Sequence, residues 1–187
     1  MTIVGGKKQQ AWAIAELIMR AMTLECCMHF CGEGHTEEDF LRVMTTLVER
    51  KDSQYSYKNT LCAIDDGVVV GIIVTYDGGR LRELRKAFLQ AAMDNWGRDH
   101  SSMPDETETG ELYIDSLAVA PNYEGRGIAT ALIRAADEKA RAMNLNLGLL
   151  VDEGNMKAYD FYCKRGFRQV GKNSWGGHPM KHLIISH

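Results

Sequence analysis

The chain has 187 residues, 45% hydrophobic and 25% charged, and its 22 basic and 25 acidic residues give a formal net charge of −3. This length and composition are typical of one globular domain with a core of its own. The acidic balance argues against nucleic acid as the main partner, and no apolar run approaches the ~20 residues of a membrane span. The N-terminus lacks the apolar segment of a signal peptide. We therefore expect a single cytoplasmic domain over residues 1–187 with no membrane partner; a homodimer is not excluded.

The cysteines are odd in number and show no paired framework, so we expect reduced thiols. Cys27, Cys31 and His35 would share one face of a continuous helix, which leaves a metal site as an alternative. We favour ordinary burial and expect no metal, because structural metal sites usually combine tight turns with closely spaced cysteine pairs.

The first half of the chain alternates strand and helix signals. Thr2–Val4 is predicted as an edge strand, and helical spacing of apolar residues predicts one helix from Gln9 to Cys31. Thr36 resembles the N-cap of a second helix, because acidic residues fill the turn that follows it.

Two β-rich runs, 60–64 and 68–76, flank Asp65-Asp66-Gly67 and predict a hairpin. Residues 80–96 read as a helix. Residues 97–109 are polar, which favours a mobile, solvated loop. The whole connection over 80–109 is long for a link between a hairpin and a strand, so a lid over the acceptor is the alternative.

The second half predicts a β-α-β unit. A strand over 111–120 leads through glycines into a helix, and an almost continuously apolar strand follows over 145–151. A short helix over 155–164 ends before Gly166, and 167–170 and 180–185 are the last strands. The fold class is therefore α+β.

The junction Gly125-Arg126-Gly127 joins a strand to a helix. Glycines let the backbone turn tightly, and the helix N-terminus presents unpaired N–H groups, so the junction is suited to bind phosphates. The residues of a Walker loop are absent, and the third glycine of a dinucleotide fingerprint is replaced by Thr130. The pyrophosphate of coenzyme A and a plain glycine turn remain as alternatives.

The run from Tyr113 to Leu132 resembles the coenzyme-binding core of the GNAT N-acetyltransferases, whose Gln/Arg-x-x-Gly-x-Gly/Ala pattern falls on Glu124-x-x-Gly127-x-Ala129. Its first position departs, since Glu stands for Gln or Arg, and we expect Glu124 to point away from the phosphates. A second element, Asn155-x-x-Ala158-x-x-x-Tyr162-x-x-x-Gly166-Phe167, is similar to the Asn, Ala, Tyr and Gly-Phe signature of the family.

The resemblance implies a mixed, mostly antiparallel sheet flanked by helices, with the coenzyme-binding core over 111–170 and acceptor-side elements over 7–50 and 80–109. It also implies acetyl-CoA as co-substrate, a small primary amine as acceptor, and Tyr162 as the general acid. A phenol can protonate a departing thiolate, and the Leu117 or Ala118 N–H can polarise the thioester carbonyl. The implied coenzyme contacts are Leu117, Ala118, Val119, Glu124, Gly125, Arg126, Gly127, Ile128, Ala129, Thr130, Asn155, Tyr159, Tyr162 and Lys164. Arg165, with Lys164, is placed to reach the 3′-phosphate, with exposed helix charges as the alternative.

Strand alternation puts Glu111, Tyr113 and Asp115 on one face, which leads toward Leu117 and the thioester. Glu111 and Asp115 are therefore the candidate bases. The alternatives are a surface carboxylate pair, or an Asp115 hydrogen bond that fixes the end of the strand. Two other functions stay open: a non-catalytic coenzyme-binding domain, suggested by Glu124, and a transferase acting on protein N-termini or lysines.

Overall fold

The computed structural model describes residues 1–187 and contains one mixed sheet of seven strands. The strands lie in the order β1-β2-β3-β4-β5-β7-β6, and only β4 and β5 are parallel. Their bounds are β1 Thr2–Gly5, β2 Thr60–Asp65, β3 Val68–Asp77, β4 Glu111–Val119, β5 Asn146–Asp152, β6 Arg168–Trp175 and β7 His178–Ile185. The predicted α+β class, the edge position of β1 and the central position of β5 are confirmed.

Six helices cover the two faces of this sheet. Four pack on one face around buried residues such as Phe40 and Phe88, and the other two lie on the opposite face with Leu132 and Phe167. Their bounds are α1 Ala11–Met22, α2 Leu24–Cys31, α3 Glu37–Glu49, α4 Leu81–Trp96, α5 Ile128–Ala142 and α6 Met156–Cys163. None of these helices is long and apolar enough to cross a lipid bilayer.

The prediction of one helix from Gln9 to Cys31 is wrong, because the helix is interrupted at Thr23. This residue adopts a φ of 72°, and its hydroxyl accepts the N–H of Cys26 at 3.4 Å, so it caps a new helix. His35 follows two glycines at positive φ and lies outside the helix, so it does not share a face with Cys27 and Cys31.

The other local predictions in the first half are confirmed. Thr36 caps α3 through its hydroxyl, and the Asp39 carboxylate accepts a hydrogen bond from the Thr36 N–H at 2.9 Å. The β2–β3 hairpin forms as expected, and α4 ends at Gly97 in the left-handed conformation.

β4 contains a bulge that positions the site. Val74 pairs with Ser116 and Thr75 with Ile114, so Asp115 is an extra residue between two paired positions. A bulge bends its strand and shifts the side-chain alternation. The pairing of β4 with β5 extends only to Tyr113, so the two strands separate where the bulge begins.

Residues 97–110 connect α4 to β4, and the prediction of a solvated loop is wrong at Glu106 and Thr107. These side chains are 5% and 8% exposed, respectively. Glu106 pairs with Arg85 of α4, and the Thr107 hydroxyl donates to Glu111, so the connection is anchored in the protein.

Candidate active site

The glycine turn between β4 and α5 has the geometry of an anion site. Gly125 and Gly127 adopt φ values of 73° and 80°, which disfavour side chains. Gly127 is the N-cap residue of α5 and offers no side-chain cap to the helix. The first N–H groups of α5 are therefore available to an anion, and the helix dipole favours negative charge there.

This turn borders a cleft of about 590 Å³ between the separated strand β4 and helix α6. Eleven of the fourteen predicted coenzyme contacts line it, and these residues come from three separate parts of the chain. They are Leu117, Ala118, Val119, Glu124, Gly125, Gly127, Ile128, Ala129, Thr130, Asn155 and Tyr162.

The structure does not bring the side chains of Arg126, Tyr159 and Lys164 to this cleft. Arg126 donates to the Asn122 carbonyl at 2.9 Å and lies over a tyrosine ring. The Tyr159 ring lies 4.4 Å from the Lys181 ammonium. Lys164 instead lines an adjoining cavity of about 480 Å³ together with further arginines.

Sequence reasoning missed four lining residues of the cleft: Tyr123, Lys157, Ala158 and Phe161. Ala158 is a position of the signature that contains Asn155 and Tyr162, but it was not predicted as a coenzyme contact. No motif marks the other three individually, although each lies within four residues of one that was predicted. Arg165 borders both cavities, and its guanidinium donates to the Thr130 hydroxyl at 2.9 and 2.8 Å. It also stacks at 3.4 Å over Phe161, so it ties α6 to α5 beside the anion site.

Glu124 lines the cleft, and its carboxylate accepts from Arg20 of α1 at 2.6 Å, while Arg20 also donates to the Val119 carbonyl at 3.2 Å. That Glu124 points away from bound phosphates stays a prediction. The arginine compensates the carboxylate beside the glycine turn. Sequence alone could not find this partner, because it lies 104 positions away.

Tyr162 lines the same cleft from α6. Its ring packs edge-on against Phe161 and Phe167 at 5.3 and 5.4 Å. Burial raises its pKa to about 12, although Arg165 acts in the opposite direction. The phenol is therefore protonated at every pH near neutrality and can serve as a proton donor.

A second, smaller cavity of about 200 Å³ lies at the bulge of β4. It is lined by residues of α1, α2, β4, β5, the β6–β7 hairpin and the two connections before β2 and β4. These residues are Ala21, Met22, Cys26, Gln54, Tyr55, Glu106, Tyr113, Asp115, Ser116, Leu150, Trp175 and Met180. We call this cavity the bulge chamber.

Asp115 enters the bulge chamber with its carboxylate held by three donors. Ser116 donates to Oδ1 at 2.9 Å, and Gln54 and Tyr76 donate to Oδ2 at 3.2 and 3.1 Å. Burial raises the pKa of Asp115, whereas these hydrogen bonds lower it.

A second carboxylate stands close to the first. The Tyr76 hydroxyl lies 3.0 Å from Glu106 Oε1 as well as 3.1 Å from Asp115, so one hydroxyl proton serves two carboxylates. Burial raises the pKa of Glu106 to about 7, although its partner Arg85 lowers it and Asp115 raises it. The chamber therefore holds a group that exchanges protons near neutral pH.

Glu111 lines neither cavity. Its side chain passes Gly148 of β5 and accepts from His182 of β7 at 2.7 Å, which raises the pKa of that histidine. The bulge shifts the alternation only after Asp115: Leu117 packs with Leu112 and Ile114 against α5, on the face opposite to Tyr113. The face of Glu111, Tyr113 and Asp115 therefore does not lead to Leu117 as predicted. Tyr113 and Asp115 share the bulge chamber, whereas Glu111 is bound by His182 and Thr107 away from it.

Comparison with known proteins agrees with this geometry. The family model described as the acetyltransferase (GNAT) family matches residues 18–167. Acetyltransferase Atu2258 of Agrobacterium fabrum (strain C58 / ATCC 33970) is 31% identical over 102 residues, which cover 53% of this chain and 72% of that protein.

Solved structures share the whole fold. One described as an acetyltransferase is 25% identical with a TM-score of 0.80, and the match covers 100% of this chain and 99% of that one. An N-acetyltransferase from Staphylococcus aureus Mu50 is 23% identical with a TM-score of 0.83, over 99% and 100% of the two chains. The NatC complex bound to Gag peptide and CoA is 19% identical with a TM-score of 0.58, over 100% and 98%. From the family match, the curated relative and the bulged, separated strand beside a glycine turn at a helix N-terminus, we conclude that the chain is an acyltransferase that belongs to the GNAT acetyltransferase family.

Proposed function

We propose that the protein transfers an acetyl group from acetyl-CoA directly to a primary amine. The observation that carries this proposal is that consecutive residues of β4 line two different cavities. Asp115 and Ser116 line the bulge chamber, and Leu117 and Ala118 line the large cleft. A donor in the cleft and an acceptor in the chamber would meet at this point, as direct transfer requires.

The large cleft suits the parts of coenzyme A. The free N–H groups at the start of α5 would bind the pyrophosphate. The open edge of β4 beyond Tyr113 would pair with the extended pantetheine arm as an added strand does. Arg134, Lys164 and Arg165 line the adjoining cavity and would attract the 3′-phosphate.

Two residues of the chain would exchange protons with the reactants. An acceptor that binds as its ammonium first gives one proton to Asp115, which passes it through Tyr76 to Glu106. The free amine nitrogen then attacks the thioester carbonyl carbon, and Asp115 accepts the second proton that the nitrogen loses. The N–H of Leu117 or Ala118 stabilises the oxyanion. The C–S bond then breaks, and Tyr162 protonates the thiolate and recovers its proton from water.

The assignment of Asp115 rests on position. Its carboxylate lies in the chamber at the bulge, whereas Glu111 is occupied by His182 and Thr107 away from both cavities. The Tyr76 hydroxyl contacts both Asp115 and Glu106, so Glu106 would receive the proton from Asp115 through this hydroxyl.

The substitution Tyr162→Phe tests the acid. It removes only the hydroxyl, so we expect kcat to fall by about a hundredfold or more, while the Kd for acetyl-CoA, measured by calorimetry, changes less than about twofold. Tyr159→Phe is the matched control on the same helix and is expected to keep its rate. A Tyr162→Phe enzyme with full kcat at all pH values would refute the acid role.

The substitution Asp115→Asn tests the base with the same two measurements. Replacing the carboxylate with an amide is expected to lower kcat and to leave coenzyme binding intact, and Glu111→Gln is the comparison that is expected to lose less. Binding without release of thiol over a broad amine panel would instead support a non-catalytic coenzyme-binding domain. Preferential acetylation of peptide N-termini or lysines would indicate a protein-modifying enzyme.

A further inference from the structure

The bulge chamber has more carboxylates than cationic partners for them. Two carboxylates, Asp115 and Glu106, line it, and a single buried cation, Arg85, pairs with one of them. Arg85 is itself 5% exposed, and its other contacts are the Met103 and Pro104 carbonyls and Asp105. With both carboxylates ionised, the chamber therefore lacks one positive charge, and a buried charge without a partner is unfavourable.

The remaining walls of the chamber are mainly apolar and aromatic. Side chains of methionine, leucine, tyrosine and tryptophan surround the carboxylates, and no lysine or arginine lines it. Tyr55 and Tyr113 are 5% and 6% exposed, so these walls are largely fixed by packing. Such a site can hold an apolar body next to a cationic head, because aromatic faces also attract cations.

Two residues that line the chamber each have a buried polar atom without a partner in the protein, the acceptor Gln54 Oε1 and the donor Trp175 Nε1. Gln54 is 3% exposed and donates through Nε2 to Asp115, which leaves its Oε1 without a hydrogen bond. Buried polar atoms are rarely left in this state, because an unmade hydrogen bond costs about 1–3 kcal/mol. An acceptor oxygen beside a carboxylate suits a ligand with several N–H donors, as an ammonium group has.

From these contacts we infer that the acceptor is a small amine with a single cationic head on an apolar body, and that the chamber rejects amines that carry a neighbouring carboxylate. The ammonium supplies the missing positive charge and donates to Asp115, Glu106 and Gln54. A carboxylate on the adjacent carbon would lie against two buried carboxylates. The volume of about 200 Å³ limits the body to a few carbon atoms or one ring. This inference rests on the proposed function of the same site.

Three acceptors of matched shape provide the test. Isopentylamine, leucine and leucinamide share one carbon skeleton and differ in having no carboxyl group, a charged one and a neutral amide. We expect kcat/KM for isopentylamine to exceed that for leucine by about a hundredfold, because like charges at short distance are strongly disfavoured. Leucinamide is expected to lie between the two, because it adds bulk without negative charge.

The variant Glu106→Gln examines the charge directly. It is expected to narrow the ratio of kcat/KM between isopentylamine and leucine by about tenfold, and the exposed neighbour Glu108→Gln is the control that should leave it unchanged. Coenzyme affinity, measured by calorimetry, reports whether the variant is folded. If Glu106→Gln does not fold, the inference is tested by the wild-type enzyme alone, through the ratio of kcat/KM between isopentylamine and leucine and through the value for leucinamide.

Leucine acetylated as well as isopentylamine would overturn the inference and leave the acetyl transfer itself established. A lysine-containing peptide that outcompetes both free amines would overturn the assignment of a small acceptor in the same way. If acetyl-CoA binds but no amine in the panel is acetylated, the proposed function fails as well. These results are therefore distinguishable by the identity of the acetylated product in mass spectrometry.

Discussion

Replacing Glu106 with glutamine is expected to remove a dependence of folding stability on pH. Burial raises the pKa of this carboxyl from 4.5 to about 7 in the folded protein. Between these two values the folded state binds more protons than the unfolded state, so the free energy of unfolding falls as pH rises. Below about pH 4.5 both states are protonated, and above about pH 7 both are ionised.

The size of the effect follows from the difference of about 2.5 between the two pKa values. Each pKa step corresponds to 1.36 kcal/mol, so the wild-type protein loses about 3 kcal/mol of stability from this group between pH 4.5 and pH 8. Glutamine does not titrate, so the variant does not lose this contribution. The free energy of unfolding of the variant minus that of the wild type should therefore rise by about 3 kcal/mol between pH 4.5 and pH 8.

Urea unfolding followed by tryptophan fluorescence at pH 5, 6, 7 and 8, at fixed ionic strength, measures this difference. His182 also contributes to the pH dependence: Glu111 stabilises its charged form, and this stabilisation is lost as pH rises through its raised pKa. The quantity to compare is therefore the difference in the free energy of unfolding between the wild type and the variant, in which the contribution of His182 cancels. Glu108→Gln, two residues away and exposed, is the control and should follow the wild type. A difference that stays constant within about 0.5 kcal/mol from pH 5 to pH 8 would show that Glu106 is not desolvated.

Three further predictions concern other parts of the chain. Arg20→Gln leaves the Glu124 carboxylate uncompensated beside the anion site, so the Kd for acetyl-CoA should rise about tenfold, and the double variant with Glu124→Gln should restore it in calorimetry. Gly148→Ala would place a methyl group 2.6 Å from the Glu111 carboxyl carbon, and thermal unfolding should show a loss of about 2–4 kcal/mol; an unchanged Tm would mean that this side chain moves freely. Thr36→Ala removes the cap of α3 and should cost about 1 kcal/mol, whereas Thr36→Ser should be neutral.

Local signals in the sequence were sufficient for most of the elements. Thr36 with Asp39, the Asp65-Asp66-Gly67 turn and Gly97 after α4 each act within a few residues, and all of them begin or end elements as predicted. The break at Thr23 was missed because the apolar spacing continues across it, so periodicity alone favoured one long helix.

The lining of the large cleft was also largely predictable from the sequence, since the glycine turn and the helix of Asn155 and Tyr162 are contiguous motifs. Eleven of the predicted contacts line one cleft, because β4, α5 and α6 carry them as units. The partner of Glu124 could not be predicted from the sequence, because Arg20 comes from a helix in the other half of the chain.

The sequence by itself determined the fold class, the glycine turn at the start of α5 and the candidate acid Tyr162, because glycine conformation, helix caps and short motifs are local properties. Only the tertiary structure decided which carboxylates belong together. Long-range contacts place Glu111 with His182 and Asp115 with Glu106, and a single bulge in β4 moves Leu117 to the face opposite to Tyr113. One extra residue in a strand changes the face of every residue after it, and this depends on pairing with β3 rather than on the residues of β4 alone.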